Sequence, residues 1–227
     1  MMARIVKEYD ERNTEFLDVA QELFYRKGYE QTSVQDIIRA VGVAKGTFYH
    51  YFASKAELLD ALVERVYTQV FAAVAPIVAD ESLGAVEKFE QLLDSGNQEK
   101  LGHKDFLLAA MPAFYDDQNV LLRTKLLAEA VAMMVPLLAA IIRQGVAEGI
   151  FDVDYPDEAA EIVIQMGQSL SDAIVQVMVR ESGAGVEGIV PKIDAYNRSV
   201  ERVLGAPKGS LHLVSLDKIA MWLPEEE

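Results

Sequence analysis

Residues Ala44 to Phe52 read AKGTFYHYF, and Lys45, Thr47, Tyr49, His50 and Tyr51 within them all carry charged or hydrogen-bonding groups. Only Phe48 and Phe52, at i and i+4, can supply a buried side. The other side chains, with a helix-softening Gly46 among them, are hard to justify as core. They face water, or a ligand that offers phosphates and base edges. Bond-making chemistry has little support. His50 has no Ser or Asp placed to pair with it, and the absence of Cys excludes disulfides, thiolate zinc sites, iron-sulfur clusters and a cysteine nucleophile. Glu99 and His103 stand at i and i+4, but the paired ExxH motifs of di-iron bundles are missing, so the two read as a solvated surface pair. No metal, no cofactor and no enzymatic activity are expected.

The elements that must carry AKGTFYHYF are helices. Nearly every segment follows the 3.6-residue period and no alternating run insists on a strand, which makes the chain all-α. A first helix, about Asn13 to Lys27, collects Phe16, Val19, Ala20, Leu23 and Phe24 on one face and stops at Gly28. Ser33 with Asp36 three residues on resembles a capping box for a second helix, striped by Val34, Ile37, Ile38 and Val41 and ended by Gly42. After this tight turn comes the short helix of about Ala44 to Tyr51. Ser54 and Glu57 cap a fourth helix expected to reach Ala75, before Pro76. Two short helices around a glycine turn, backed by a third, make a helix-turn-helix unit or a helical hairpin in a bundle. Downstream, breaks are expected at 80–82, 94–97, 112–119, 149–156 and 182–188, with Pro136 kinking one long helix.

Charge is unevenly spread. The 227 residues carry 21 Lys and Arg against 36 Asp and Glu, a net charge of -15, which by itself argues against nucleic acid. Residues 1–65 account for only -2 of that. From Ile37 to Ala56 there are three cations, Arg39, Lys45 and Lys55, and no carboxylate. The charge-free stretch Ala130 to Ile142 has 13 residues, short of the roughly 18 a membrane span needs, so no membrane partner is expected. The opening MMARIVKEYD has charges where a signal core would be apolar, which points to a cytoplasmic protein.

The segments AQELFYRKGYEQTSVQDII and VGVAKGTFYHYFASKAELL resemble, in order and spacing, the DNA-binding domain of the TetR (TetR/AcrR) family of bacterial repressors. The resemblance runs from about Phe16 to Val66 and rests on Gly28, Thr32, Gly42, Gly46, Thr47, Tyr49, Tyr51, Phe52, Lys55 and Leu58. It departs at Ala44, where the family often has Ser, so the recognition helix lacks a side-chain N-cap. The resemblance implies a DNA-binding transcriptional regulator: a ligand-responsive repressor that binds a palindromic operator as a dimer and is released by a small hydrophobic effector. It assigns base-edge or phosphate contact to Lys45, Gly46, Thr47, Tyr49, His50 and Tyr51. Lys55 and, at the second helix, Thr32 and Ser33 would add phosphate contacts at helix N-termini. Residues 1–53 would be the helix-turn-helix domain and 54–227 a helical effector-binding and dimerisation domain.

Two further expectations concern that larger part. Val163, Met166, Leu170, Ala173 and Val177, with Ile189, Ile193, Tyr196 and Val200, follow steps of three and four along two helices, the seam of a two-fold four-helix dimer interface. Ile162, Ile164, Ile174, Val175 and Leu204 are left for the intramolecular core. An apolar effector is expected against Phe106, Met111, Tyr115, Met134 and Met166, with His103 or Tyr115 as polar handle, because Met packs on irregular ligands and few cations are available for an anion. The same methionines also suit plain core.

Overall fold

The computed structural model describes residues 2–115, 120–180 and 186–222; of these, the side chains at 2–9, 113, 121–122, 178–180 and 186–187 are not described. The breaks expected at 112–119 and 182–188 therefore lie partly outside the described residues. Among the described residues there are helices and no strand: α1 (Met2–Lys27), α2 (Val34–Val41), α3 (Lys45–Tyr51), α4 (Lys55–Ala79), α5 (Ala85–Gly102), α6 (Lys104–Phe114), α7 (Val120–Ala147), α8 (Pro156–Arg180), a 3-10 turn Val186–Ile189, α9 (Val190–Val203) and α10 (Leu216–Ala220).

Helix packing divides the chain into two compact units, one of residues up to Thr68 plus His103–Leu127, the other of Gln69–Gly102 plus Ala128 onward. In the first, Phe16, Phe24, Ile37, Phe48, Leu58, Leu59 and Leu62 are fully buried. The Phe16 ring meets Phe48 edge-on at 5.6 Å and Phe52 edge-on at 5.9 Å, so the two apolar residues of AKGTFYHYF clamp α3 onto α1. Phe106 and Ala110 bring α6 into the same core.

Several helices differ from expectation. α1 begins eleven residues earlier than expected, at Met2, and the Arg12–Glu15 pair and the Thr14 hydroxyl on the Asp10 carbonyl support the added turns. α4 runs through Pro76 to Ala79; the ring is exposed, and Lys88 donates to the Val78 carbonyl at 2.8 Å, satisfying an oxygen the helix end leaves open. α5 does not break at 94–97. Gly96 is buried inside it, where a Cβ would stand 3.5 Å from Val70, so the glycine admits a neighbouring helix. α7 continues past Pro136 as one helix, with that proline exposed. Two helical stretches, Lys55–Ala79 and Arg123–Ala147, reach the length and mean hydropathy (1.3 and 2.0) of membrane spans, because such windows tolerate the one or two charges that an uninterrupted count forbids. Both also supply buried residues to the cores.

The second unit centres on Val74, Phe89, Leu138, Ile141, Ile142, Phe151, Leu170 and Leu204. The turn after α7 is fixed by close approach: a Cβ on Gly145 would lie 2.2 Å from the Phe151 ring. Gly205, with φ +61°, meets Asp152, whose N–H donates to the Leu204 carbonyl at 2.9 Å. The C-terminal segment straps this unit. The Glu201 carboxylate accepts from the Gly209 and Leu211 N–H groups, the Asn197 amide pairs with Val214, and Trp222 donates to Asn97 at 2.9 Å.

The seam expected to face a partner is buried within one chain. Val163, Leu170, Ile189, Ile193, Tyr196 and Val200 are between 0% and 8% exposed, and Met166 and Val177 pack against the same core, with Ala173 half-buried. α8 and α9 pack this seam against each other within one chain, which leaves Met166, Ala173 and Val177 partly exposed. Ile162, expected inside, is 51% exposed. The periodicity shows that α8 has two apolar faces; it does not show which one its own chain covers.

Candidate nucleic-acid interface

The second helix is set by the loop before it. Ser33 Oγ accepts from the Asp36 N–H while Asp36 accepts from the Ser33 N–H, a complete capping box despite the shorter acid. These bonds, from the Ser33 backbone first and its hydroxyl second, hold the Asp36 carboxyl below the usual carboxylate range, with Lys27 adding to the effect. Gly42 closes α2 with φ 76°, which turns the chain into α3.

Thr32, expected at a phosphate, is turned inward instead. Its side chain is fully buried, with the hydroxyl donating to the Gly28 carbonyl at 2.8 Å and its N–H to Tyr29. It satisfies orphan carbonyls at the end of α1 and presents nothing to a phosphate. Ser33 remains exposed, although its hydroxyl already bonds Asp36.

α3 buries Phe48 and turns Lys45, Gly46, Tyr49 and His50 outward, with Thr47 and Tyr51 half-buried. Ala44 gives no side-chain cap. Tyr49 stands edge-on to Phe48 at 5.3 Å with Lys45 Nζ 5.7 Å from its ring, so its body is packed and its hydroxyl is left outward. Around Gly46 nothing lies within 4 Å of where a Cβ would stand. The fold has room for a side chain there, so the glycine answers no internal crowding. Lys55 donates from Nζ to the Tyr29 carbonyl at 2.9 Å and lies 4.0 Å over the Tyr29 ring. One of its three donors is thus committed to the turn between α1 and α2. A polar groove runs beside α3, lined by Glu11, Arg12, Glu15, Thr47 and Tyr51. Of the three α1 residues, Glu11 and Arg12 precede the helix expected from about Asn13, and Glu15 carries no local signal that sets it apart from other helical carboxylates.

The residues expected around an effector are divided between the two units. Phe106 is core of the first unit, and His103 Nδ1 lies 3.4 Å from the Gln21 amide of α1. Tyr115, half-buried, carries the Arg123 guanidinium 4.8 Å over its ring, and Met111 is half-buried on α6. Met134 and Met166 pack instead against the core of the second unit.

A family model described as bacterial regulatory proteins, tetR family, matches residues 16–62, and one described as tetracyclin repressor-like, C-terminal domain, matches 112–182; together they span just over half of the chain. The chain is 27% identical over 157 residues to the HTH-type transcriptional repressor KstR2 of Mycobacterium tuberculosis, covering 67% of this chain and 76% of that protein. Its fold is similar to that of Salmonella enterica GusR (TM-score 0.56, 16% identity, 86% of this chain and 95% of that one). It is also similar to the TetR family transcriptional regulator PfmR of Thermus thermophilus (TM-score 0.50, 23% identity, 85% and 98%).

Proposed function

The chain belongs to the TetR family of bacterial transcriptional regulators and is not an enzyme, and from that premise we propose that it represses transcription as a homodimer on a palindromic operator until a small apolar effector releases it. The observation that carries the DNA reading is α3 itself. A seven-residue helix is clamped to the core by Phe48, with Lys45, Tyr49, His50 and an uncrowded Gly46 facing out. That surface suits a major groove, where Lys donates to guanine or phosphate and a bare glycine lets the backbone approach. Residues 1–53 carry this reading and 54–227 the effector and dimer functions. A regulator of this kind works in the cytoplasm, where the chromosome is.

For the dimer we assign the outward stripe of α8, Ile162, Gln165, Ser169 and Gln176, which is exposed yet carries no charge at those positions. For the effector, Met134 and Met166 supply adaptable apolar surface in the second unit. A ligand acts only through different affinities for the DNA-fitting and non-fitting states. Titration with a panel of neutral and cationic hydrophobic compounds, following loss of a bound duplex, tests this. At least one compound acts at micromolar level and Met134→Trp blunts it; a panel without any active compound contradicts the effector class.

A further inference from the structure

We propose that Arg12 is part of the DNA-contacting surface, binding a backbone phosphate beside the segment read by α3, with Glu15 holding its guanidinium in place. The inference rests on the DNA-binding reading above and extends it to a turn outside the family match, which begins at residue 16.

The position follows from packing. Phe16 anchors α1 to α3 through Phe48, and the Tyr51 ring lies 5.5 Å from Phe16, so the turn of α1 just before Phe16 stands alongside α3. Arg12 and Glu15 project there, into the groove that Thr47 and Tyr51 line from the other side. Thr47 is one of the residues that meets base edges or phosphate in the DNA reading, so a duplex seated on α3 brings a phosphate to the mouth of this groove. The Arg12 side chain is 40% exposed and forms an ion pair with Glu15, itself 44% exposed. Such a pair is screened by water and adds little to stability. Its use is geometric: a carboxylate holding one edge of the guanidinium leaves other N–H groups of the planar fork pointing outward. Glu11 and Glu15 also place negative charge in the groove, which weakens backbone approach generally and favours duplexes that present a phosphate to Arg12 itself.

The test measures binding of the full-length protein to a duplex selected for binding and to a random duplex, across a salt series, for the parent and for Arg12→Ala, Arg12→Lys, Glu15→Gln and Lys45→Ala. Arg12→Ala weakens binding to both duplexes severalfold near 0.1 M salt, and the slope of log K against log salt becomes shallower by about 0.9, the signature of one lost phosphate contact. Arg12→Lys keeps the slope, and Glu15→Gln, whose amide oxygen still accepts from the guanidinium while the repelling charge is gone, tightens binding to both. Arg12→Ala binding like the parent while Lys45→Ala is impaired overturns the assignment and leaves the DNA reading standing. Parent-like binding by both alanine variants overturns the DNA reading as well.

Discussion

Lys45 and Gly46 are neighbours with separable effects, which lets their roles be measured one at a time. Lys45→Ala is expected to weaken binding to selected and random DNA alike and to make the salt slope shallower by about 0.9, whereas Thr47 and His50 variants change sequence preference. Gly46→Ala has open space in the free protein. Thermal unfolding should show it stabilised by up to about 1 kcal/mol while its DNA affinity falls, because only a duplex fills that space. Unchanged affinity would remove Gly46 from the interface. Asp36 gives a pH-dependent counterpart. Its folded pKa lies below the ordinary value, so its contribution is present above the unfolded carboxyl range and is lost as pH falls through the folded value. The stability gap between the parent and Asp36→Asn should therefore shrink as unfolding curves are taken from pH 7 towards pH 3. Residue type alone could not sort the two hydroxyls beside it. Thr32 and Ser33 read alike in sequence, but the Gly28 carbonyl needed a donor that only the folded α1–α2 turn reveals. Thr32→Val leaves that oxygen unpaired and should cost about 1–3 kcal/mol.

Apart from the start of α1, helices up to Tyr51 are legible because their signals are local: a capping box at Ser33, glycine stops at 28 and 42, and apolar stripes of the right period. Farther along, the same residue types served other purposes. Gly96 read as a break, yet it lets Val70 approach α5, a contact between segments distant in sequence. The two apolar faces of α8 are visible in sequence, but which one α9 covers depends on how the chain returns, and the seam through Val163, Leu170 and Tyr196, expected to face outward, is buried. The turn after α7 is an element whose packing can be tested directly. Gly145→Ala places a methyl group on the buried Phe151 ring and should destabilise the protein by about 1–3 kcal/mol. Paired Phe151→Leu should recover part of the loss in urea unfolding, and additive losses would mean that the contact is not the cause.

At the scale of the whole molecule, a repressor that reads an inverted repeat needs two copies of α3 held at a fixed separation, about one helical turn of DNA or a multiple of it. The dimer face assigned to Ile162, Gln165, Ser169 and Gln176 predicts that Ile162→Glu reduces the light-scattering mass from two chains to one and weakens operator binding without unfolding either unit. The most direct measurement is selection of bound duplexes from a random-sequence library by the full-length protein, followed by sequencing. An account in which paired α3 helices read DNA predicts enrichment of an inverted repeat with that half-site spacing, kept at weaker affinity in Lys45→Ala and changed in sequence in Thr47 and His50 variants. A bound pool that stays as random as the input would contradict it.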